Sequence, residues 1–330
     1  MPRVFLALFM LAASLCWAAG DEGVLDRGRE QSESFLRGSM TGIWENMTPE
    51  MQESLGDEDA LARLRNDLRR SAGSETEILE ETTESRGGQT LYLRTSRWTG
   101  IDAPILMRWA FNEDGQISGF FVQPKPALAE SRFLDYQTKA TLRLPFDGEW
   151  LVFWGGRTLE QNYHAADRAQ RFATDFVVRE NGVTFRGDGT ILGNYYCWDR
   201  PILAPAAGKV VSAVRDLPDQ PIGQADRDNP AGNHVVLDLG NNEFAFLAHF
   251  RQGSVPVSAG DTVTAGQMLG RCGNSGNSSE PHLHFHLQNT PDLKDGEGLP
   301  AFFEDFLADG VAIGRGEPVK GQVVAPDGAG

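Results

Sequence analysis

The run Pro281-His282-Leu283-His284-Phe285-His286 constrains this chain more than any other stretch. Polar and apolar side chains alternate along it, and alternate residues of a strand point to the same face. Read as a strand, it sends His282 and His284 side by side into one site while Leu283 and Phe285 face a core. Imidazole is a common zinc ligand and the usual general acid or base near neutral pH. All six histidines fall between His164 and His286. The second half of the chain is therefore expected to hold a zinc-dependent hydrolytic site.

At 330 residues the chain has room for two domains, at roughly 100–200 residues each. Hydrophobic content of 40% and charged content of 23% allow each to bury a core. A net charge of −16 argues against nucleic acid or an anionic membrane as the main partner, because phosphate contacts need clustered Lys and Arg.

Residues 1–20 read as a signal peptide: Arg3 supplies a positive start, Val4 to Ala13 is apolar and uncharged, and Ala18, Ala19 and Gly20 are small. The apolar run is too short to span a bilayer, and polar Asp21-Glu22-Gly23 follows it, as after a cleaved signal; an uncleaved anchor is the alternative. The expected location is periplasmic or secreted, with no stable membrane insertion once the signal is gone. Removing it also removes Cys16 and leaves Cys197 and Cys272, for which either a disulfide or two separate buried thiols is open. There is no Cys-x-x-Cys spacing to suggest zinc binding by cysteine. Nothing in the sequence sets an oligomeric state.

From about Asp26 to Ala72 the pattern is helical, with Thr48 as N-cap before Pro49 and with Leu61, Leu64 and Leu68 spaced along Asp59 to Arg70. After Gly73 the period changes. Thr76–Glu84, Gln89–Trp98, Ile105–Phe111 and Ile117–Gln123 read as strands, the second and third separated by a loop from Gly100 to Pro104. Helices followed by an antiparallel meander give an α+β accessory domain over residues 21–123, in which the acidic run Glu75 to Glu84 is expected to be a solvated strand face. Pro124-Lys125-Pro126-Ala127 opens a semi-rigid linker over residues 124–140. Residues 141–330 read as a mainly antiparallel β domain with an open groove, its strands expected at Thr141–Leu144, Trp150–Trp154, Ala173–Val178, Gly208–Val214, Asn233–Asp238, Phe244–Phe250, Met268–Gly273 and Leu283–Gln288.

Two resemblances follow from these segments. The Trp44 to Gln52 stretch, in its helix-then-meander setting, resembles the cone-shaped α+β modules of the cystatin or nuclear-transport-factor type. Gly273-Asn274-Ser275-Gly276, then Pro281-His282-Leu283-His284-Phe285, preceded by Phe246-Leu247-Ala248-His249, resembles the lysostaphin-type or LytM-type zinc endopeptidases that cut peptidoglycan cross-links. The resemblance covers residues 145–290 and keeps the motifs in family order.

It implies a Zn2+ site of His164, Asp175 and His284, with His249 and His282 as catalytic imidazoles. The family's Asp usually follows its first His closely, whereas Asp175 stands eleven positions after His164. Asp175 is favoured because it sits within the apolar strand Phe172, Ala173, Phe176, Val177, Val178; Asp167, nearer in sequence, lies in a polar loop or helical turn and is the alternative. His286 stands where many relatives carry an acid and is open between a partner for a ligand and an exposed side chain; His234 is expected to shape the core or to stand behind the ligands. The Gly273 to Ser279 loop either approaches a peptide substrate closely or is an ordinary hairpin loop. Three protein ligands leave a fourth metal position open, the arrangement of a catalytic site. The expected activity is zinc-dependent cleavage of peptidoglycan peptides, the alternative a catalytically inactive relative that binds cell wall or activates another hydrolase.

Overall fold

The computed structural model describes residues 22–328 apart from 87 and 294. The expected signal over residues 1–20, with Cys16, lies outside the described residues. The chain divides into two compact units between Lys125 and Pro126.

In the first unit, α1 (Glu22–Arg37), α2 (Thr41–Glu45), α3 (Pro49–Leu55) and α4 (Asp59–Ala72) precede the strands β1 (Glu75–Arg86), β2 (Gln89–Trp98), β3 (Ile101–Phe111) and β4 (Ile117–Pro124). The Thr48 hydroxyl accepts from the Met51 N–H at 3.3 Å, and Pro49 opens α3 where no intrahelical N–H is needed. The strands pair in sequence order as an antiparallel meander. Helical Phe35, Ile43 and Leu61 share one core with Tyr92, Trp109 and Phe111 of the sheet. Trp109 stacks on Phe120 with ring centres 3.8 Å apart, and its indole N–H donates to the buried Ser32 hydroxyl at 2.9 Å.

Two expectations for this unit are corrected. β3 begins at Ile101, so the Gly100-to-Pro104 loop shrinks to a tight turn, held by the Gly100 N–H donating to the Ala72 carbonyl at 2.9 Å. The acidic run is not one solvated face. Glu75 and Glu81 are each 14% exposed at the side chain and pair with Arg94, itself 5% exposed, while Tyr92 donates to Glu81. Cross-strand Arg94 and, for Glu81, Arg29 of α1 at 2.8 Å neutralise them, while Glu77 and Glu80 make exposed pairs with Arg97 and Lys125.

The second unit contains β5 (Trp150–Trp154), β6 (Thr174–Val177), β7 (Pro201–Leu203), β8 (Gly208–Val214), β9 (Asn233–Asp238), β10 (Phe244–Phe250), β11 (Thr262–Val263), β12 (Met268–Arg271), β13 (Leu283–Gln288), β14 (Gly298–Leu299), β15 (Phe303–Ala308), β16 (Val311–Gly316) and β17 (Val323–Pro326). The principal sheet runs β11-β8-β9-β10-β13-β6-β5-β17-β15-β16, with β14 also on β13. Its neighbours pair antiparallel. Leu283, Phe285 and Leu287 of β13 join Ala245 and Leu247 of β10 in the core, which leaves the other face of β13 to His284, His286 and Gln288. The α+β first unit and mainly antiparallel β second unit are the expected fold class.

Residues 126–140, expected as linker, are held on the second unit. Fully buried Glu243 accepts from the Tyr136 hydroxyl at 2.9 Å and from the Lys139 and Ala140 N–H groups at 2.6 and 2.8 Å. Thr141–Leu144 is not a strand: Leu142 forms an isolated bridge with Phe303. β15, β16 and β17 were not expected. Phe303 and Phe306 are both buried at a spacing of three, because Asp305 between them adopts φ +48° and breaks the alternation that marks a strand in sequence.

In the first unit, Ser32→Ala leaves the Trp109 N–H buried without its acceptor, an expected loss of about 1–3 kcal/mol. Urea unfolding of the full chain should show a lower midpoint for this unit, and an unchanged midpoint would remove the bond from the account.

Candidate metal centre

Three adjacent strands align the centre. In the β10, β13, β6 register, Ala248 stands opposite His284 and His284 opposite Asp175. The row places His284 Nδ1 2.9 Å from Asp175 Oδ1. The small Ala248 side chain on one flank leaves the imidazole room to lean toward the carboxylate on the other.

His164 arrives from a 3-10 turn, Tyr163–Ala166, far from these strands in pattern but tied to them by one side chain. Asn162, fully buried, donates its amide to the carbonyls of Gly156 at 3.1 Å and Ala173 at 2.9 Å. Its Oδ1 accepts from the His164 N–H and lies 2.9 Å from His164 Nδ1. Since Ala173 leads into β6, this amide closes the eleven-residue interval and brings His164 Nε2 to 3.6 Å from Asp175 Oδ2. His164, Asp175 and His284 are buried and offer ligand atoms within 4.8 Å of one another. Asp167 is elsewhere: exposed, it caps a turn by accepting from the Ala169 and Gln170 N–H groups at 2.8 and 3.2 Å.

His249 and His282 border the group, with ring centres 4.7 Å apart. His282 follows from the alternation of β13, but His249 does not follow from that of β10, where Ala245 and Leu247 face the core and His249 should join them. A bulge against β9 between Leu247 and Phe250 inserts one residue, and His249 takes φ +67°, which turns its ring toward the site. The Ser275 carbonyl holds its Nδ1 at 2.8 Å. Behind that carbonyl the Gly273 to Gly276 loop packs against the chain's own backbone: a Cβ on Gly232 would lie 2.4 Å from Ser275 C, and one on Gly276 2.4 Å from Gly232 N. Here the glycines serve an approach of the chain to itself.

The outer nitrogens decide what the ring faces offer. Asn162 Oδ1 and the carbonyls of Ser275 and Glu280 only accept, so His164, His249 and His282 carry their protons on Nδ1. The Nε2 atoms of the three rings then face inward, that of His282 3.8 Å from Asp175 Oδ1. Burial lowers His164 to about 3 despite the carboxylate beside it, and pushes His249 far below the usual histidine range. Burial favours a protonated Asp175, but the imidazoles of His164, His282 and His284 outweigh it and hold the carboxyl well below its usual range. A carboxylate and inward-facing ring nitrogens form a donor set that fits a divalent cation.

His234 stands outside the group, its Nδ1 donating to the Gly232 carbonyl at 2.8 Å. His286 is fully enclosed, stacked on Phe246 with ring centres 4.6 Å apart, and meets His284 through its ring nitrogen. Cys197 and Cys272 are buried free thiols, and the Cys197 thiol donates to the Pro281 carbonyl at 2.8 Å. Asn162 was missed in the sequence; its place two residues before His164 was the available signal.

An antiparallel β unit with a buried His-Asp-His group and two bordering imidazoles is an arrangement suited to metal-assisted hydrolysis. Residues 194–295 match peptidase family M23, and the chain carries a domain of that family. The match includes His249, His282 and His284, while His164 and Asp175 lie before it. Over 62 residues the chain is 39% identical to peptidoglycan DD-endopeptidase ShyA of Vibrio cholerae, a span of 18% of this chain and 14% of that protein. Among solved structures, the catalytic domain of the antimicrobial peptidase lysostaphin from Staphylococcus simulans is similar at 21% identity, over 45% of this chain and 86% of that one, with a TM-score of 0.28. A zinc-containing peptidase from Vibrio cholerae is similar at 16% identity, over 66% and 59%, with a TM-score of 0.31.

The depressed His164 pKa has a consequence for stability. Between 6.5 and about 3 the unfolded chain binds the proton that the folded chain refuses. The stability of the metal-free protein is therefore full above about 6.5 and falls as pH drops toward about 3. Urea midpoints measured across that window should decline, with a shallower decline in His164→Gln; equal slopes in the two proteins would assign the effect elsewhere.

Proposed function

We propose that the second unit is a zinc-dependent endopeptidase that cleaves peptide cross-links of bacterial peptidoglycan, in an exported protein. The observation that carries this reading is the convergence of His164, Asp175 and His284, ligand atoms within 4.8 Å of one another, beside two imidazoles not needed as ligands. The M23 domain and the DD-endopeptidase activity in the name of the Vibrio cholerae relative support the substrate class.

His164 through Nε2, Asp175 through a carboxylate oxygen and His284 through Nδ1 would hold the ion. Zinc bound there supplies Lewis acidity toward an amide carbonyl and makes water a better nucleophile near neutral pH. The remaining chemistry belongs to His249 and His282. With Nδ1–H anchored on the Ser275 and Glu280 carbonyls, each keeps Nε2 free to take a proton from water, or once protonated to donate to an oxyanion or to the departing amine. Those anchors prevent the rings from turning away between steps. The first unit, read as a cystatin-like or nuclear-transport-factor-like cone, is assigned an accessory role in positioning or restraining the peptidase. An inactive relative that only binds cell wall would not need all five groups, and their retention favours the enzyme.

The test incubates the purified mature chain with isolated peptidoglycan, with and without a chelator, and identifies released fragments by mass. Release should require the metal. His284→Ala should lose zinc, whereas His249→Ala should keep it and lower kcat by about 10²–10⁴-fold. Chelator-insensitive cleavage, or no cleavage by a fully zinc-loaded chain, would overturn the reading.

A further inference from the structure

His164 and Asp175 stand eleven positions apart, and the turn that carries His164 belongs to no strand. Asn162 fastens the entry to that interval, but the interval itself is fastened from outside. The Ala165 carbonyl, within the turn, accepts from the Ala129 N–H at 2.8 Å. Ala129 lies in the stretch before β5, where the sequence suggests only a spacer.

The Ala129 carbonyl is taken in turn by Arg171. Arg171 is 4% exposed; its Nε donates to the Ala129 carbonyl at 2.9 Å and its Nη1 to the Arg157 carbonyl at 3.1 Å. Among the described residues no carboxylate pairs with it. A guanidinium without an acid is costly to bury, and here main-chain carbonyls from two segments are what meet it. Arg157 carries the linkage on, its Nη1 donating to the Leu134 carbonyl at 2.5 Å and its Nε and Nη2 to Glu317 at 3.0 and 2.6 Å. Buried Glu297 adds a further tie by pairing with Arg132 at 3.1 Å and with Arg168. The segment 129–134 is thus bound at three points to residues on both sides of His164.

Asp175 and His284 need no such help, because they face each other across paired strands. A ligand on a turn keeps its place only if the turn cannot shift, and the freedom to be removed grows with the length of the interval. We propose that Arg171 is a positioning residue of the metal centre, which clamps residues 129–134 onto the His164 turn and makes that segment part of the site, an inference that rests on the metal-site reading. It acts through the backbone that carries His164.

The test compares variants of the full mature chain by zinc affinity, read by competition with a chromophoric chelator, and by the urea midpoint of the metal-free protein. Arg171→Met removes both bonds, and zinc affinity should fall by about 10–100-fold, the usual cost of losing a group that orients a ligating histidine. Arg171→Lys keeps the charge but reaches one carbonyl rather than two, and should lose less. Thr138→Val controls for stability alone: the buried Thr138 hydroxyl donates to the Pro300 carbonyl at 2.6 Å and accepts from the Phe302 N–H at 3.1 Å, at the opposite end of the same stretch. Its loss should lower the urea midpoint and leave zinc affinity unchanged. An unchanged affinity in Arg171→Met, or an equal loss in Thr138→Val, would overturn the proposal. Should Arg171→Met fail to fold, Arg171→Lys decides, and wild-type affinity there counts against the clamp. A wild-type chain that binds no zinc would sink the metal-site reading instead. Metal-free 15N-histidine spectra then judge the positioning role: Arg171 variants should shift the His164 ring signals and spare those of His234, and an unmoved His164 would end it.

Discussion

A carboxylate almost without solvent, Asp175, is the constraint around which the second unit is arranged. Taking such a group out of water is costly unless positive charge or strong donors meet it. The protein meets it with imidazoles from three directions: His284 from the next strand, His164 from a turn, His282 from the same strand face as His284. Each of the three has its outer side occupied, so none is free to rotate and leave the carboxylate unpartnered. The proposed ion would complete this arrangement by adding positive charge beside the buried carboxylate.

The backbone contributes as much as the side chains. The β10 bulge sends His249 to the face its position in the strand would deny it, and a left-handed conformation outside glycine costs of order 1–3 kcal/mol where it is not supported. Support comes from the His249 N–H donating to the Ala231 carbonyl at 3.2 Å and from the Ser275 carbonyl beneath the ring. Ser275 is fixed in turn, its hydroxyl donating to the Phe250 carbonyl at 2.7 Å while accepting from the Asn233 N–H at 2.9 Å. The loop that looks from its composition like a binding element is in large part a mount for one imidazole.

The first unit shows the same economy with charge. Arg94 is nearly as buried as the core aromatics and is tolerated because Glu75 and Glu81 bracket it across the β1–β2 pair. Tyr92 caps the network from within the core. A strand written mostly in glutamate and threonine thereby acquires an inner face, which charge alone does not reveal.

The local alternation of β13 determined by itself that His282, His284 and His286 share a face, because a period of two is a property of extended backbone. The apolar setting of Asp175 marked it in the same way, and the helix and strand periods separated an α+β segment from a β-rich one. Tertiary structure alone decided the rest. Asn162 closes an interval of eleven residues through the Ala173 carbonyl, a bulge reverses the facing of His249, and Asp305 hides a strand by breaking its alternation. The outer ring nitrogens of His249 and His282 are also held by backbone carbonyls, of Ser275 and Glu280, which side-chain patterns do not mark. Sequence periodicity records which way a side chain leaves a regular backbone; it does not record departures from regularity, nor what waits on the far side of a ring.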